Sequence, residues 1–373
     1  MSKMRILQMS AYFEPERVSS THLSNDLYKE LTKNNIEIED YVPSPCRGVS
    51  KEIREKYKKI TYEEKYDGLY KVHRFPMFKE GKNPIIRCLR YILINIIQYC
   101  KGSHSKNIDL IFAASTPPTQ GLLCGLVKKR LKVPFVYNLQ DIFPESLVNA
   151  KMTHKGSLIW KIGRIIENYT YRSADKIIVI SEGFKRNIME KGVPEDKIKV
   201  VSNWIDLEGV EPIKRSDNRL FEEFGIDPNR FIVVYAGNFG MTQGAEIVIQ
   251  VAEKMCAYED IQFVIFGGGI LFSQVVEETK NLKNVFIHEL LPLERVSEVY
   301  SLGDVALITC KKGTGGAGLP SKLWSIMACN TYIIASFDQN SDLSGILLDS
   351  KAGTTVEPEN SDVLKQEIIR LYD

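Results

Sequence analysis

Fully apolar segments of strand length alternate with amphipathic helical segments along this 373-residue chain, and this pattern limits its fold most strongly. The segment Phe231-Ile232-Val233-Val234-Tyr235, for example, does not alternate with polar residues, so neither face of this strand is expected to contact water. Strands buried on both faces are typical of parallel sheets with helices on each side. The pattern therefore predicts an α/β fold, with ligand sites at the carboxyl ends of the strands.

The alternation occurs twice, and the length suits two domains. A polar, turn-rich stretch separates the halves, so we predict an amino-terminal Rossmann-like domain at 1–205, a linker at 206–217 and a carboxyl-terminal Rossmann-like domain at 218–373. The predicted strands are 4–9, 36–42, 69–75, 108–114, 133–139, 175–181, 197–202, 231–236, 261–266, 284–288, 304–309 and 331–335. The predicted helices are 21–34, 84–101, 158–173, 182–191, 244–257, 271–280, 294–302, 319–329 and 361–372. The charged segment Lys51–Tyr66 is interpreted as a solvated insertion.

Charge differs sharply between the halves, because residues 1–205 sum to +13 and residues 206–373 to −11. A basic half predicts an anionic partner such as lipid phosphates, a membrane surface or nucleic acid. The alternative is that the charges only keep both halves soluble. Basic residues scattered without interleaved aromatic residues make nucleic acid the weakest of these partners.

The sequence favours the cytoplasm. Its seven cysteines form no CxxC pair, so a zinc site or a disulfide framework is not expected. The apolar run near the start is too short for a signal peptide, and no stretch of about 18 apolar residues predicts a transmembrane helix.

Two glycine-rich turns follow strands of the second half. Tyr235-Ala236-Gly237-Asn238-Phe239-Gly240-Met241-Thr242-Gln243-Gly244 opens onto a helix, and Phe266-Gly267-Gly268-Gly269 follows the next strand. Backbone N–H groups in such turns bind phosphate, although a tight turn without a ligand explains either segment alone.

A third glycine-rich segment, Gly313–Gly318, leads into Leu319-Pro320-Ser321-Lys322 and a helix. A cation beside a helix amino terminus is disfavoured unless an anion binds nearby. Lys322 is therefore a candidate anion ligand, against the alternative of a surface lysine on a mobile loop.

Polar clusters follow two predicted strands of the first half. Gln140-Asp141 begins one, where Asp141 is either a residue of the active site or a turn residue. The other joins Tyr12-Phe13-Glu14 to Ser19-Ser20-Thr21-His22, where His22 reads as a helix-start residue or a catalyst.

The helix around Ile85–Tyr99 carries an apolar stripe at helical spacing. The stripe consists of Ile85, Ile86, Leu89, Ile92, Leu93, Ile96 and Ile97. Core packing is its ordinary interpretation. A face on an anionic membrane surface is the alternative, because basic residues flank the stripe.

Motifs for several chemistries do not occur: GxSxG, HExxH, GxxxxGK[ST], Asp-x-Asp and a GxGxxG turn after the first strand. The order of the segments that do occur resembles the retaining glycosyltransferases of family 4, which have the GT-B fold of two Rossmann-like domains facing across a cleft. The segments that carry the resemblance are Ile177–Gly183, Val201–Asp206, Tyr235–Asn238, Asn284–Phe286, Leu302–Val305, Pro320–Leu323, Ala352-Gly353 and Pro358–Asn360. Those around Asp141 and Lys322 are similar to a bacterial subgroup that includes N-acetyl-L-fucosamine transferases of surface-polysaccharide synthesis.

The resemblance implies that the second half binds a nucleotide sugar, with UDP as the expected nucleotide, and that no cofactor or metal is needed. The implied donor-binding residues are Gly237, Asn238, Gly240, Gln243, Gly244, Gly267, Gly269, Leu290, Leu291, Pro320, Ser321, Lys322 and Ser325. The implied acceptor-binding residues of the first half are Tyr12, Phe13, Glu14, Ser19, Ser20, His22 and Gln140. Asp141 and Lys322 are the candidate catalytic residues.

The chain departs from the family pattern at several positions. The Arg and Lys of the phosphate turn are replaced by Asn238 and Gln243, and the paired glutamates of the sugar site by Ala317 and Ser325. Gln140 stands where a histidine is common, and the glycine pair near Ser19-Ser20 is absent. The crossover helix usual at the end of the family is also expected to be missing.

The expected reaction transfers a sugar with retention of configuration to a lipid-linked polyprenyl-diphosphate acceptor, at the inner face of the cytoplasmic membrane, in capsule, O-antigen or exopolysaccharide synthesis. Charge on the leaving diphosphate is met by N–H groups and Lys322. Two alternatives remain: a sugar-nucleotide epimerase of the same architecture, and a binding or assembly protein without catalytic activity.

Overall fold

The computed structural model describes residues 3–16, 21–81, 83–149, 152–240 and 243–373. It divides into two compact units, Met1–Ser202 and Asn203–Asp373. Each unit contains one sheet, and helices connect its successive strands except β3 and β4 of the first unit. This arrangement confirms the predicted α/β class with mostly parallel sheets.

The first unit is built on an eight-stranded sheet with the order β3-β4-β2-β1-β5-β6-β7-β8. Every neighbouring pair is parallel except β3 and β4. Its strands are β1 (Arg5–Gln8), β2 (Glu37–Pro43), β3 (Tyr62–Lys65), β4 (Tyr70–Phe75), β5 (Leu110–Ala114), β6 (Phe135–Leu139), β7 (Lys176–Val179) and β8 (Ile198–Val200). Its α-helices are α1 (Thr21–Lys33), α2 (Lys51–Tyr57), α3 (Pro84–Gly102), α4 (Gln120–Leu131), α5 (Glu145–Asn149), α6 (Leu158–Ser173) and α7 (Glu182–Glu190).

The second unit contains a six-stranded parallel sheet with the order β11-β10-β9-β12-β13-β14. Its strands are β9 (Phe231–Asn238), β10 (Ile261–Gly268), β11 (Val285–Glu289), β12 (Val305–Thr309), β13 (Tyr332–Ser336) and β14 (Gly353–Val356). Its α-helices are α8 (Leu220–Glu223), α9 (Glu246–Lys254), α10 (Phe272–Thr279), α11 (Val296–Tyr300), α12 (Lys322–Ala328), α13 (Asp342–Ser350) and α14 (Ser361–Tyr372).

Strand β9 explains why the apolar runs do not alternate. Ile232 and Val234 belong to one hydrophobic cluster, whereas Val233 and Tyr235 belong to another on the opposite face of the sheet. All four side chains are buried. The helical layers on both faces therefore require an apolar residue at each position of the strand.

The interpretation of Lys51–Tyr66 as solvated agrees with the structure, in which none of these residues is buried, but the segment is a regular part of the fold and not an insertion. This segment forms α2 and β3, and β3 pairs with β4 in the antiparallel direction. Glu63 of β3 forms an ion pair with Arg74 (3.1 Å), whose buried guanidinium lies 4.6 Å from the Tyr57 ring centre. The half-buried Glu63 thus has its partner at the sheet edge, while most charged residues of the segment are exposed.

The core-packing interpretation of the α3 stripe is also wrong for most of its residues. Ile85, Ile86, Leu89, Ile92 and Ile96 are exposed, with Ile85 at 78%. The opposite face of the helix is buried instead. It carries Arg90, Ile94 and Gln98, and Gln98 Nε2 donates to the carbonyl oxygens of Ser10 (2.9 Å) and Tyr41 (2.8 Å). Polar groups that satisfy loop and strand carbonyls thus occupy part of the buried face, whereas most of the apolar stripe faces solvent.

Helices α4 and α6 approach closely at two glycines of α4. A Cβ added at Gly121 would overlap Thr170 Cγ2 and lie 2.7 Å from Thr170 Oγ1. A Cβ added at Gly125 would lie 2.8 Å from Ser173 Cβ and 2.9 Å from Tyr169 Cε1. The absence of side chains at both positions sets the spacing of the two helices.

We expect Gly121→Ala to destabilise the first unit, because the added methyl group forces α4 and α6 apart at a cost of about 1–3 kcal/mol. Gly345→Ala in α13 is the matched control, since a Cβ there meets no atom within 4 Å and alanine favours a helix by about 1 kcal/mol. Thermal unfolding followed by circular dichroism compares the two variants. Equal midpoints would contradict the proposed close packing.

Candidate functional site

The two glycine turns of the second unit lie side by side at the carboxyl edge of its sheet. In the parallel register of β9 and β10, Gly237 is opposite Gly267 and Asn238 is opposite Gly268. The Phe239 N–H donates to the Gly268 carbonyl (2.7 Å), so the turns remain joined beyond the strands. The structure thus places two backbone segments with small side chains at one edge, as the sequence analysis expects.

Lys322 lies at the same edge. Its Nζ atom is 4.3 Å from the centre of the Tyr235 ring, in cation–π geometry. A Cβ added at Gly237 would lie 2.5 Å from Lys322 Nζ and 3.2 Å from the Tyr235 hydroxyl. The ammonium group therefore occupies the space left open by the missing side chain of Gly237. We call Lys322, Tyr235 and the described turn residues, which are 237–240, Gln243 and Gly244, the Lys322 site.

The Lys322 ammonium is poorly hydrated and uncompensated. Burial alone lowers the pKa of Lys322 to about 8, and no carboxylate within the described ranges raises it. A cation held away from water without a counter-charge is costly. An anion placed next to it would remove this cost. At pH 7 the group is still mostly protonated, and its charge is lost as the pH rises through about 8.

Two glycines of these turns need the left-handed backbone region. Gly244 has φ +59°, and a Cβ there would lie 2.7 Å from the carbonyl carbon and oxygen of Cys310. Gly269 has φ +106° and packs directly on the Asn238 side chain. These residues set the course of the backbone around the Lys322 site.

Asn238 and Gln243, which replace the family's cations, meet at Gly240. A Cβ added there would lie 2.6 Å from Gln243 Oε1 and 2.7 Å from Asn238 Nδ2. The Gln243 carbonyl accepts a hydrogen bond from Thr309 Oγ1 (2.8 Å). Amide groups thus line the turn at the positions where the resemblance predicts cations. Among the described residues, Lys322 of α12 is the cation that lies next to this turn.

The glycine-rich loop before α12 is held in place rather than mobile. Asp338 accepts hydrogen bonds from the N–H groups of Gly313 (3.0 Å) and Gly315 (2.8 Å). Sequence reasoning missed Asp338, as it missed Tyr235 beneath Lys322. Neither residue carries a local signal, because each is separated from its partner by more than 20 positions along the chain.

The remaining predicted donor residues lie at different depths. Leu290 is half exposed, and its N–H donates to Gly267 O (3.0 Å), whereas Leu291 packs partly against the core. Ser325 is buried on α12. Pro320 is half-buried and Ser321 is exposed at the start of that helix.

The first unit places Tyr12 in a polar cluster near α3. Its hydroxyl contacts Glu80 Oε2 (2.8 Å) and Tyr91 OH (2.7 Å), and the Arg47 guanidinium lies 5.5 Å from its ring centre. Burial and these hydrogen bonds raise the pKa of Tyr12. The sequence analysis did not predict Glu80, Tyr91 or Arg47 here, since their segments carry no motif.

The other predicted acceptor residues have mixed environments. Phe13 is buried and stacks on Tyr70, so it packs in the core rather than at a surface. Glu14 forms an ion pair with Lys65. Gln140 Nε2 donates to Asn138 Oδ1 (3.0 Å). Ser19, Ser20 and the His22 side chain lie outside the described residues.

Asp141 follows β6 at the start of a turn, where part of the residue is open to solvent and its carboxyl group is partly desolvated. Its carboxylate accepts hydrogen bonds from the Ser146 side chain and the Ile142 N–H, while loss of hydration raises its pKa. An ion-pair network supports the following helix, because Lys191 Nζ lies 2.8 Å from both Glu145 Oε1 and Glu167 Oε1. The Asp141 loop is thus anchored to α6 and to the end of α7.

Titration of Lys322 tests the electrostatics of the site. We expect its amine to become reactive toward acetic anhydride with a midpoint near pH 8, because burial disfavours the charged form. Mass spectrometry of the Lys322 peptide as a function of pH measures the midpoint. A midpoint of about 10.4, which is the pKa of a hydrated lysine, would contradict the proposed burial.

Within the described ranges, no group of three or more His, Cys, Asp or Glu residues has the geometry to hold a metal ion. No helix in the same ranges combines the length and apolarity needed to cross a bilayer.

Two family profiles match the chain, one in each half. Residues 24–208 match the sequence profile of Glycosyltransferase Family 4, and residues 216–373 match that of Glycosyl transferases group 1. The probable glycosyltransferase WbjE of Pseudomonas aeruginosa is 26% identical over 260 residues, covering 69% of this chain and 64% of that protein. The putative colanic acid biosynthesis glycosyl transferase WcaI of Escherichia coli (strain K12) is 22% identical over 375 residues, which cover 97% of this chain and 90% of that protein.

A solved structure gives the same fold. The structure of Anabaena Alr3699/HepE in complex with UDP and glucose superimposes with a TM-score of 0.69 at 16% identity, covering 99% of this chain and 90% of that one. The predicted GT-B fold is confirmed, and the two profile matches agree with the predicted resemblance to family 4. The chain is a GT-B glycosyltransferase that joins a family 4 domain to a glycosyl transferases group 1 domain.

Proposed function

We propose that this glycosyltransferase is a retaining, metal-independent enzyme that moves a sugar from a UDP-linked donor to a lipid-linked acceptor. One observation carries the donor half of the proposal: the Lys322 ammonium lies in the space beside Gly237, without a carboxylate partner in the described part of the chain. A diphosphate supplies the missing negative charge. The backbone N–H groups of the glycine turns add uncharged donors.

The nucleotide is assigned by chemistry and by similarity. HepE, whose fold this chain shares, binds UDP and glucose. The Leu290 side chain is half exposed beside Gly268 and would provide an apolar contact for a base. Ser325 is the proposed neighbour of the ribose. The similarity to N-acetyl-L-fucosamine transferases makes UDP-linked N-acetylamino sugars the first donors to test.

In the proposed reaction, an acceptor hydroxyl attacks the anomeric carbon on the face that the nucleotide leaves. The new glycosidic C–O bond forms as the bond to the diphosphate oxygen breaks, so the configuration is retained. The departing diphosphate takes the hydroxyl proton. Lys322 and the N–H groups stabilise the charge that grows on that diphosphate, where preorganised donors lower a barrier most.

The acceptor half of the proposal rests on charge and on relatives. Residues 1–205 carry a net charge of +13, which suits a polyprenyl-diphosphate-linked saccharide at the inner face of the cytoplasmic membrane. The relative WcaI is named as a putative glycosyl transferase of colanic acid biosynthesis. Capsule, O-antigen or exopolysaccharide synthesis is therefore the proposed setting. Asp141, Gln140, Tyr12 and Glu14 are the proposed acceptor contacts.

Replacing Lys322 tests the donor site. We expect Lys322→Ala to lower the rate of sugar transfer about a hundredfold, because the transition state loses one preorganised charge. This change corresponds to an activation barrier that is higher by about 3 kcal/mol. Lys312→Ala is the matched control, since Lys312 is exposed on the neighbouring loop and pairs with Glu357 (2.9 Å). Product formation is measured by mass spectrometry with a panel of nucleotide sugars. Equal rates in the two variants would refute the assignment.

Asp141→Asn tests the acceptor side. We expect kcat/KM for the acceptor to fall about tenfold, because a hydrogen bond to a charged group contributes about 1.5–3 kcal/mol. The dissociation constant for UDP, measured by calorimetry, should not change, since Asp141 and Lys322 belong to different units. A weakened UDP affinity with unchanged acceptor kinetics would reverse the proposed division of roles.

A further inference from the structure

Helices α3, α4 and α6 form one layer on the sheet of the first unit. The connections β4–α3–β5, β5–α4–β6 and β6–α6–β7 all run in the same direction across the strand order. Right-handed crossovers in one direction place their helices on the same face of a sheet. Helix α4 packs against both α3 and α6, so the three helices are neighbours.

The outward sides of α3 and α6 are apolar and exposed to water. On α3 the exposed stripe is Ile85, Leu89, Ile92, Ile96 and Tyr99, at one helical face. On α6 it is Leu158, Ile159, Ile162 and Ile165, with exposures from 49% to 74%. Between them Leu126 of α4 is 41% exposed. Large contiguous apolar patches on a protein surface mark contact sites. We call these residues the outer apolar surface.

The inward sides of the same helices leave no freedom to bury the outer apolar surface by rotation. Gln98 of α3 donates to two backbone carbonyls, and Asn95 Nδ2 donates to Gln120 Oε1 of α4 (3.3 Å). The α4–α6 contact is fixed by Gly121 and Gly125. Turning α3 inward would strand these buried amides without partners, at a cost comparable to lost hydrogen bonds.

Charge identifies the partner of this surface. Each of the three helices carries three Lys or Arg residues, and the single acidic residue among them, Glu167, is buried. The exposed cations Lys101, Lys129, Arg130, Lys161 and Arg172 accompany the outer apolar surface. An apolar face bordered by cations is complementary to a bilayer with anionic headgroups.

We propose that the outer apolar surface of α3, α4 and α6 docks on an anionic lipid bilayer. Isoleucine and leucine side chains enter the boundary of the acyl chains, and the surrounding cations contact lipid phosphates. The inference deepens the proposed function, since it names the surface by which the enzyme would reach a lipid-linked acceptor. It does not depend on the identity of the sugar.

The test uses the full chain and vesicles of phosphatidylcholine with or without phosphatidylglycerol. We expect flotation with the anionic vesicles and about tenfold or more weaker partitioning of an Ile92→Ser/Ile162→Ser variant, because apolar side chains drive insertion. The matched control is Ile270→Ser/Leu348→Ser in the second unit, at positions that are 77% and 78% exposed. Lys161→Glu/Arg130→Glu should lose the preference for anionic vesicles.

Natural cysteines report the orientation of the bound protein. Cys88 of α3 and Cys256 of the second unit are both exposed. An environment-sensitive fluorophore is attached to Cys88 in a Cys100→Ser/Cys256→Ser variant, or to Cys256 in a Cys88→Ser/Cys100→Ser variant. Vesicles should shift the emission to shorter wavelength only for the label on Cys88. Equal shifts for both labels would overturn the proposed orientation.

Other results would also refute the inference. The proposal fails if neither vesicle binds the wild type, or if the control double variant loses partitioning as strongly as Ile92→Ser/Ile162→Ser. If sedimentation shows a dimer that the isoleucine substitutions dissociate, the surface is an interface between copies of this chain. Transfer to a water-soluble acceptor separates the membrane proposal from the proposed function. The isoleucine variants should transfer sugar to this acceptor at the wild-type rate. Absence of transfer by the wild type would count against the proposed function alone.

Discussion

The parallel pairing of β9 with β10 determines the geometry of the nucleotide-sugar half of the molecule. Because the two strands end at the same level, their terminal glycines lie side by side and the turns that follow share a hydrogen bond from Phe239 to Gly268. Lys322 then fits above Tyr235 in the space beside Gly237. A shift of one residue in this register would move Tyr235 to the other face and separate the lysine from the turn.

In the first unit, polar and small side chains determine how helices α3, α4 and α6 pack. Amide side chains of α3 and α4 satisfy backbone carbonyls in the interior, and two glycines bring α4 against α6. These contacts use the polar and small residues for packing, which leaves aliphatic residues on the outside. Because Ile94, Leu123 and Val127 are buried as well, these helices carry apolar residues on their inward and outward sides.

Much of the fold could be predicted from sequence, because buried parallel strands and amphipathic helices leave strong periodic signals. The β9 run and the glycine turns after it are examples. The errors have a common cause in long-range partners. Strand β3 is stabilised by pairing with β4, where Arg74 meets Glu63, so the charged composition of Lys51–Tyr66 did not indicate a strand. Gln98 reaches carbonyls far along the chain, so nothing local indicated that the polar side of α3 faces inward. At the candidate site, Lys322 could be singled out by its place beside glycines, whereas Tyr235 and Asp338 became visible only in three dimensions.

The absence of side chains at Gly237 and Gly267 has a consequence for redesign. A larger residue at Gly237 meets the flexible end of the Lys322 side chain, and a larger residue at Gly267 collides with the rings of Phe239 and Phe272. A change at Gly237 therefore displaces the lysine, whereas a change at Gly267 disturbs the packing of the two rings. Variation is better tolerated at Leu290, which borders the same edge and is half exposed. A library built to shift nucleotide preference would accordingly start from that leucine and keep the glycines constant.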